Sequence, residues 1–218
     1  MSKLISIEEA VNLVRDGDTV MVGGFLAVGS PHRLIEELIK KGVKDLTLIC
    51  NDTSFVDHGV GKMVAAKMFK KIMTSHIGTN RETGRQMMAG ETEVELIPQG
   101  TLIEQVRAGG FGLGGVLTKT GLGTEVAKGK QTVEVDGETY LLEKPLRANV
   151  ALLFAEKADE KGNLTYRGAT RNFNTYMGAA ADIAIVETQE IVKVGDICPN
   201  EVVVPGVFVD HIVLGGSR

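Results

Sequence analysis

Three short polar segments each follow a run of apolar residues that is typical of a buried strand. They cover residues 51–53, 75–80 and 98–100 and carry amides and hydroxyls, with Asn51 and Gln99 among them. The carboxyl ends of parallel strands meet at one edge of an α/β sheet, where ligands bind. Together the segments favour a site that orients a polar small molecule. A structural role stays equally open, because Asn, Gln and Gly also cap helices and form turns.

The glycine-containing loop GGFLAVGSP, residues 23–31, joins a predicted strand to a predicted helix. Free backbone N–H groups and the positive end of the helix dipole would face a ligand above this loop, which favours a phosphate. Two alternatives stay open: a βα turn that binds nothing, or a dinucleotide site with Asp52 as the ribose-binding acid. The spacing of Gly23, Gly24 and Gly29 does not satisfy G-x-G-x-x-G and counts against the second.

A second glycine-dense segment, AGGFGLGG, covers residues 108–115. Its Gly110, Gly112 and Gly115 do fit G-x-G-x-x-G, but a helical stretch precedes them and no helix obviously follows. A dinucleotide site requires the reverse order. Ordering a long glycine-dense loop is costly in entropy, so we predict a functional surface here.

Other side chains that could do chemistry give weaker patterns. Cys50 and His76 could form a nucleophile pair, but a lone Cys on an apolar strand is more often a small core residue. The four histidines have no spacing that suits a metal, so no metal site is predicted. Glu82, Glu104 and Glu143 could each be a catalytic acid, although Glu104 falls on an amphipathic helix and is expected at the surface.

Helix and strand signals define the elements that position these residues. Ser6 and Glu9 form a capping box for a first helix, which Gly17 is expected to end. Thr19–Val22 predicts a buried strand, Ser30 is expected to cap the second helix, and Gly42 is expected to close it. Further strands are predicted at residues 46–50, 72–75, 94–97, 150–154 and 183–186, and further helices at 101–108 and 170–181.

This alternation predicts an α/β fold with an open, mostly parallel sheet flanked by helices. Around Asp136 and Gly137 the pattern changes to that of a short antiparallel hairpin with a type I′ turn. We interpret the hairpin as a local excursion within a single domain that covers residues 1–218.

Composition limits the possible partners and compartments. Glycine reaches 27 of 218 residues, and the formal charge is −4 with 5% aromatic residues. Without a basic stripe or stacking platform, a nucleic-acid partner is disfavoured. The N-terminal segment is too polar for a secretory signal, and no apolar run is long enough to cross a membrane. Two cysteines, Cys50 and Cys198, do not suit a disulfide framework, so a cytoplasmic location is expected.

Several blocks of the sequence resemble the α-type subunits of the 3-oxoacid CoA-transferase family, in particular those of its acetate or butyrate–acetoacetate members. The first block is DGDTVMVGGFLAVGSP at residues 16–31. The others follow in the family's order and are LTLICNDT, SHIGTNRETGR, ELIPQGTLIEQVRAGG, GGVLTKTGLGT, YLLEKPL, ADEKGNLTYRG and VVVPGVFVDHIV. The similarity covers essentially the whole chain.

The resemblance implies an enzyme that moves coenzyme A between acetyl-CoA or butyryl-CoA and acetoacetate. A β subunit of similar fold would supply a glutamate in a Ser-Glu-Asn-Gly motif, which this sequence lacks. That glutamate would form a mixed anhydride and then a glutamyl-CoA thioester in a ping-pong cycle. The implied partner is this β subunit in an α2β2 assembly. CoA esters would be substrates, and no permanently bound cofactor is expected.

The resemblance also implies roles for individual residues. Asn51 and Gln99 would reach the active site at the subunit interface, with the Gln99 amide donating to a developing oxyanion. The CoA-binding loop would consist of Gly24, Phe25, Leu26, Ala27, Val28, Gly29 and Ser30. Two other classes stay as alternatives, namely a nucleotide- or sugar-phosphate-binding α/β enzyme and a non-catalytic sensor that uses the same crevice.

Overall fold

Helices and strands alternate along most of the chain in the computed structural model, which describes residues 3–215. The helices are α1 (Ile7–Asn12), α2 (His32–Lys41), α3 (Gly61–Ala65), α4 (Arg81–Met88), α5 (Gln99–Gly110) and α6 (Asn174–Met177). The strands are β1 (Thr19–Val22), β2 (Leu46–Asp52), β3 (Phe69–His76), β4 (Glu93–Leu96), β5 (Val116–Thr118), β6 (Thr132–Val135), β7 (Glu138–Glu143), β8 (Ala148–Asp159), β9 (Leu164–Thr165), β10 (Ala181–Val192) and β11 (His211–Leu214).

The main sheet has the strand order β11-β10-β8-β1-β2-β3-β4, and every pair of neighbours in this order is parallel. Among the described strands of this sheet, only the short β9 is antiparallel, on the end of β8. The prediction of an open, mostly parallel α/β sheet is therefore confirmed. The strands that follow β1 in the sequence lie on both sides of it, β2 on one side and β8 on the other, so the topological switch point lies beside β1. Ligands bind at such a point in open α/β sheets.

Alternate residues of the central strands face opposite sides of the sheet, as a two-residue repeat requires. In β1, Val20 and Val22 pack into one buried apolar cluster with α1, α2 and α3, whereas Met21 belongs to a second cluster with α5 and α6. In β8, Val150 joins the first cluster and Ala151 the second. Both faces are therefore covered, which holds the strand ends rigidly in place.

A small antiparallel sheet with the order β5-β7-β6 lies outside the main sheet. Asp136 and Gly137 have φ values of 52° and 79°, as a type I′ turn requires. The predicted hairpin is thus confirmed. Its third strand, β5, follows the second glycine-dense segment and was not predicted.

Two expectations about helix ends were wrong. The first helix ends at Asn12, and Lys41 Nζ of α2 donates to the carbonyls of Val11 and Val14 at this end. Gly17 lies in the next turn, with φ 80°. Ser30 does not cap α2, since the N-cap is Pro31 and makes no side-chain hydrogen bond.

The predicted helix at residues 170–181 was also largely wrong. In its place the structure has only the four-residue α6, with 3-10 turns before it at Gly168–Thr170 and after it at Gly178–Ala180. A Cβ on Gly178 would lie 2.8 Å from the carbonyl oxygen of Phe208, so this segment packs closely against the chain just before β11.

Candidate active site

One cavity of about 380 Å3 opens where the polar strand ends meet. Its lining comes from the loop after β1, the ends of β2 and β3, and the first residue of α5. The lining residues are Phe25, Leu26, Asn51, Asp52, Ser75, His76, Thr79 and Gln99. The structure therefore brings all three of the predicted polar segments into one site, next to the switch point of the sheet.

Two side-chain amides and one carboxylate form a hydrogen-bonded chain along this cavity. Gln99 Nε2 donates to Asn51 Oδ1 at 2.6 Å, and Asn51 Nδ2 donates to Asp52 Oδ2 at 2.6 Å. Asn51 is 2% exposed and Asp52 is 5% exposed, whereas Gln99 faces solvent. The Gln99 amide is therefore the exposed end of this series of hydrogen bonds, and it is the end that a ligand can reach.

Pairing between β2 and β3 fixes the position of Asn51. Its backbone carbonyl accepts a hydrogen bond from Ser75 Oγ at 2.6 Å and another from Thr74 Oγ1 at 3.2 Å. Gln99 is held differently, because it is the first residue of α5 and follows Pro98 at the N-cap. Not all polar residues of these segments line the cavity. Asn80 caps α4 by accepting from the backbone N–H groups of its first turn.

The loop after β1 contains a two-residue turn. Phe25 and Val28 exchange backbone hydrogen bonds of 3.0 and 2.9 Å around Leu26 and Ala27. Leu26 and Ala27 have φ values of 46° and 71°, which is unusual for residues other than glycine. The turn presents Leu26 to the cavity, and Asp52 fixes it by accepting from the Leu26 N–H at 3.1 and 3.2 Å.

Two asparagines that lie far away in the sequence hold the other side of this loop. Asn172 Oδ1 accepts from the Gly24 N–H at 3.2 Å, and its Nδ2 donates to the Val28 carbonyl at 3.0 Å. Asn174 Nδ2 donates to the Gly29 carbonyl at 2.9 Å. Sequence reasoning missed both residues. Their only signal was two asparagines in the segment RNFN, which was included in a predicted helix.

The seven predicted loop residues do not all reach the cavity. Phe25 and Leu26 line it, whereas the other five are absent from its lining. Gly24 and Ser30 instead pack against each other, since a Cβ on Gly24 would lie 2.3 Å from Ser30 Oγ. They therefore shape the turn that carries Phe25 and Leu26.

Asp52 is the one carboxylate among the described residues that line the cavity, and its oxygens are already engaged. Oδ1 accepts from the backbone N–H groups of Ser54 at 2.8 Å and Leu26 at 3.2 Å. Oδ2 accepts from Asn51 Nδ2 and from the same Leu26 N–H. A carboxylate so fully hydrogen-bonded is a poor nucleophile. The cavity thus offers amide donors, and its one carboxylate among the described residues is not free to attack.

Comparison with known proteins shows the family to which the chain belongs. The profile of the family described as Coenzyme A transferase matches residues 4–215. The chain belongs to this family. It is 54% identical to the alpha subunit of the acetate CoA-transferase of Escherichia coli K12 over 98% of this chain and 97% of that protein. It is 47% identical to the acetoacetyl-CoA:acetate/butyrate CoA transferase alpha subunit of Clostridium acetobutylicum over 97% of each chain.

A solved coenzyme A transferase shows the same fold. The acyl-CoA transferase of E. coli O157:H7, in a thioester complex with CoA, superposes with a TM-score of 0.85 at 23% identity. The match covers 99% of this chain and 47% of that one, so this chain spans about half of its length. The alternative of a nucleotide- or sugar-phosphate-binding enzyme finds no support in these comparisons.

The start of α2 in the present chain is not a free anion site. Glu187 Oε2 accepts from the backbone N–H groups of Arg33 and Leu34 at 2.9 and 3.0 Å. Glu187 is 5% exposed, and burial raises the pKa of its carboxyl. The expectation that these helix N–H groups face a phosphate was wrong, because a side chain from β10 already occupies them.

The cysteine and the three glutamates that the sequence suggested as catalytic groups make structural contacts in the present chain. Cys50 is buried, which raises the pKa of its thiol, and its Sγ contacts Thr74 Oγ1 at 3.6 Å. Glu82 pairs with Arg85, and the buried Glu143 accepts from Lys130 Nζ and Gln105 Nε2. Glu104 pairs with Arg107 at the surface, as expected.

Two further features are absent from residues 3–215. No group of three or more His, Cys, Asp or Glu side chains is placed there to hold a metal ion. No helix in that range is long and apolar enough to span a bilayer.

Proposed function

We propose that this chain is the α subunit of an enzyme that exchanges coenzyme A between acetyl-CoA or butyryl-CoA and acetoacetate. The observation that carries the proposal is the full-length similarity to two α subunits named for acetate and acetoacetate or butyrate chemistry. The 47% match is to a protein named for acetoacetyl-CoA with acetate or butyrate. These names define short-chain acids as the substrate class.

In the proposed reaction, a glutamate from the β chain attacks the acyl-CoA carbonyl and expels the CoA thiolate, which leaves an acyl–glutamyl anhydride. The thiolate then attacks the glutamyl carbonyl and releases the first carboxylate, which forms a glutamyl-CoA thioester. The second acid attacks that thioester and expels the thiolate, which leaves a second acyl–glutamyl anhydride. The thiolate then attacks the acyl carbonyl of this anhydride, which gives the new acyl-CoA and releases the glutamate. The fully hydrogen-bonded state of Asp52 supports a nucleophile from outside this chain.

Gln99 and Asn51 are the proposed catalytic residues of this chain. Each attack creates negative charge on a carbonyl oxygen, and a preorganised N–H donor stabilises that charge. Gln99 Nε2 has a second N–H besides the one that binds Asn51, and it lies at the exposed end of the amide chain. The loop from Gly24 to Ser30 is proposed to contact CoA through its Phe25 and Leu26 side chains.

The proposed assembly is an α2β2 complex in the cytoplasm, with the α chain folded as one domain. Both cysteines, Cys50 and Cys198, are free thiols, which suits a reducing compartment. CoA esters enter as substrates, and we propose that no cofactor stays bound between turnovers. Binding of the large CoA body would then contribute to lowering the barrier at the distant thioester.

The test is to assay the purified chain alone, its β partner alone, and the two mixed, with acetyl-CoA and acetoacetate as substrates. Only the mixture should produce acetoacetyl-CoA. Intact-mass spectrometry after incubation with acyl-CoA should find the added mass of CoA on the β chain. Exchange by the isolated α chain, or a CoA adduct on it, would refute the proposed division of roles.

A further inference from the structure

Asp52 differs from the other polar groups of the cavity because it can only accept hydrogen bonds. An ionised carboxylate has no N–H or O–H to donate, whereas a side-chain amide has both an oxygen and an NH2 group. Asp52 is 5% exposed and accepts from Leu26 N, Ser54 N and Asn51 Nδ2. Any group that meets this carboxylate must therefore turn a donor towards it.

That constraint passes along the amide chain. Because Asn51 must turn its NH2 group to Asp52, its Oδ1 faces the other way, towards Gln99. Gln99 must then present its NH2 group to Asn51 Oδ1, at 2.6 Å. An amide can flip by exchanging its O and N positions, and only its hydrogen-bond partners decide between the two states. Here, one carboxylate decides both amides.

We propose that Asp52 is a positioning residue, which fixes the direction of the Asn51 and Gln99 amides and so places the Gln99 donor where the oxyanion forms. The inference rests on the proposed CoA-transfer function. Without the carboxylate, the chain Asp52–Asn51–Gln99 could reverse, and Gln99 would offer its oxygen where its nitrogen now lies. A donor misplaced by about 1 Å can cost about 100-fold in rate.

Asp52 also ties this amide chain to the loop that forms another wall of the cavity. The same carboxylate accepts from the Leu26 N–H, which belongs to the turn with positive φ values. One side chain thus sets both the donor direction and the position of Leu26. The role in the donor direction is what separates positioning from simple structural support.

The decisive variant is Asp52→Asn in the complex of this chain with its β partner. The new amide keeps the volume of the carboxylate but adds an NH2 group, which permits the reversed direction. We expect kcat to fall about 10- to 100-fold with a smaller change in KM, because the oxyanion contact matters mainly in the transition state. Unchanged kcat in a folded, assembled Asp52→Asn variant would overturn the proposal.

A double-mutant cycle shows whether Asp52 acts through Gln99. In a Gln99→Ala background, Asp52→Asn should cause little further loss of kcat, because the donor that it orients is already gone. Independent, multiplying losses would overturn the proposal. In addition, the side-chain NH2 resonances of Gln99 in the isolated α chain should shift in Asp52→Asn, and unshifted resonances would count against the proposed relay.

The matched control is Asp159→Asn, since Asp159 is 2% exposed and also accepts from backbone and side-chain N–H groups, outside the cavity. It should lower stability while kcat of the assembled enzyme stays unchanged, and an equal loss of kcat would overturn the specific role of Asp52. Should Asp52→Asn not assemble, Asp52→Ser is the second variant. A hydroxyl both accepts and donates, so it too frees the direction and should lower kcat.

The two proposals fail in different ways. If the unsubstituted complex shows no CoA transfer, the proposed function is wrong, and the NH2 resonances of Gln99 still test the relay. If the unsubstituted complex transfers CoA and Asp52→Asn equals it in kcat, the function stands and the positioning role is wrong.

Discussion

The two glycine-dense segments look alike in the sequence but differ in how the fold holds them. Residues 23–30 are tied by polar side chains that arrive from other elements, namely Asp52, Asn172 and Asn174. Residues 108–115 are held mainly by close packing, with one polar side chain, Arg147, whose Nη1 donates to the Gly109 carbonyl at 2.9 Å. A Cβ on Gly109 would lie 1.9 Å from the carbonyl oxygen of Leu146, and one on Gly110 would lie 2.9 Å from the Ala179 Cβ.

This difference explains why glycine density alone is a poor guide to function. In the second segment, Gly109 and Gly110 belong to the last turn of α5 and allow it to approach its neighbours. No residue of that segment lines the cavity, and the functional surface predicted there stays a prediction. In the first segment, the glycines permit a tight turn whose non-glycine residues, Phe25 and Leu26, face the cavity. The glycines shape this turn, and the side chains of Phe25 and Leu26 line the cavity.

The largest expected effect is a loss of folding stability in Gly109→Ala, which should disrupt the close packing of the second segment. The added Cβ meets a backbone oxygen that cannot move aside, so unfolding in urea should show a loss of about 3 kcal/mol or more. Gly112→Ala is the control, because its Cβ meets open space and only its φ of 70° is unfavourable. That variant should lose roughly 1 kcal/mol. Equal losses would show that the packing contrast is wrong.

A smaller loss of stability, with a kinetic signature, is expected from Gly24→Ala in the first segment. Its φ of 138° and the contact with Ser30 Oγ should together cost roughly 2 kcal/mol and displace the turn. Steady-state kinetics of the assembled enzyme should then show a higher KM for the CoA ester, with kcat less affected. A normal KM would indicate that the loop only turns the chain.

The smallest expected effect is a pH dependence of the free energy of unfolding. It tests the contact of Glu187 with the start of α2, the helix that follows the first glycine-dense segment. Burial raises the pKa of Glu187 above its ordinary value of 4.5. Between 4.5 and the raised pKa, the folded chain holds a proton that the unfolded chain has released, so this group's contribution to stability falls as pH rises. Glu187→Gln does not titrate, and its amide oxygen can still accept from Arg33 N and Leu34 N.

The stability of the unsubstituted chain relative to Glu187→Gln should therefore decrease between pH 4.5 and the raised pKa of Glu187, and stay constant above it. Urea unfolding across this pH range measures the difference. A relative stability that instead increases with pH would mean that the two N–H groups favour the charged carboxylate more than burial disfavours it.

Local signals predicted the elements that neighbouring residues determine. The capping box of Ser6 and Glu9 and the turn at Asp136 and Gly137 are present as predicted, because each depends on residues only a few positions apart. The polar strand ends were also predicted, since a parallel sheet brings such ends together. In contrast, Gly17 was expected to end α1, but the helix ends at Asn12, and the Gly17 N–H donates to the Lys44 carbonyl at 3.0 Å, a long-range contact that local signals do not contain.

The parts that could not be predicted depend on strand order. Asn172 and Asn174 reach the first glycine segment because β8 pairs with β1, although more than a hundred residues separate them in the chain. Glu187 meets α2 because β10 lies next to β8, and nothing in its apolar strand marks it as a helix cap. The relay through Asp52 likewise needs the atomic directions of two amides, which residue types alone do not specify.

The turn at Leu26 and Ala27 has an unfavourable backbone conformation and also forms part of the cavity wall. Left-handed backbone costs such residues about 1 kcal/mol each, a penalty that Asn-Gly at the same positions would largely avoid. Selection for thermal tolerance alone would therefore favour that replacement and would remove the Leu26 side chain that forms part of the cavity wall. The natural pair keeps a less stable turn and with it the Leu26 side chain in the cavity wall.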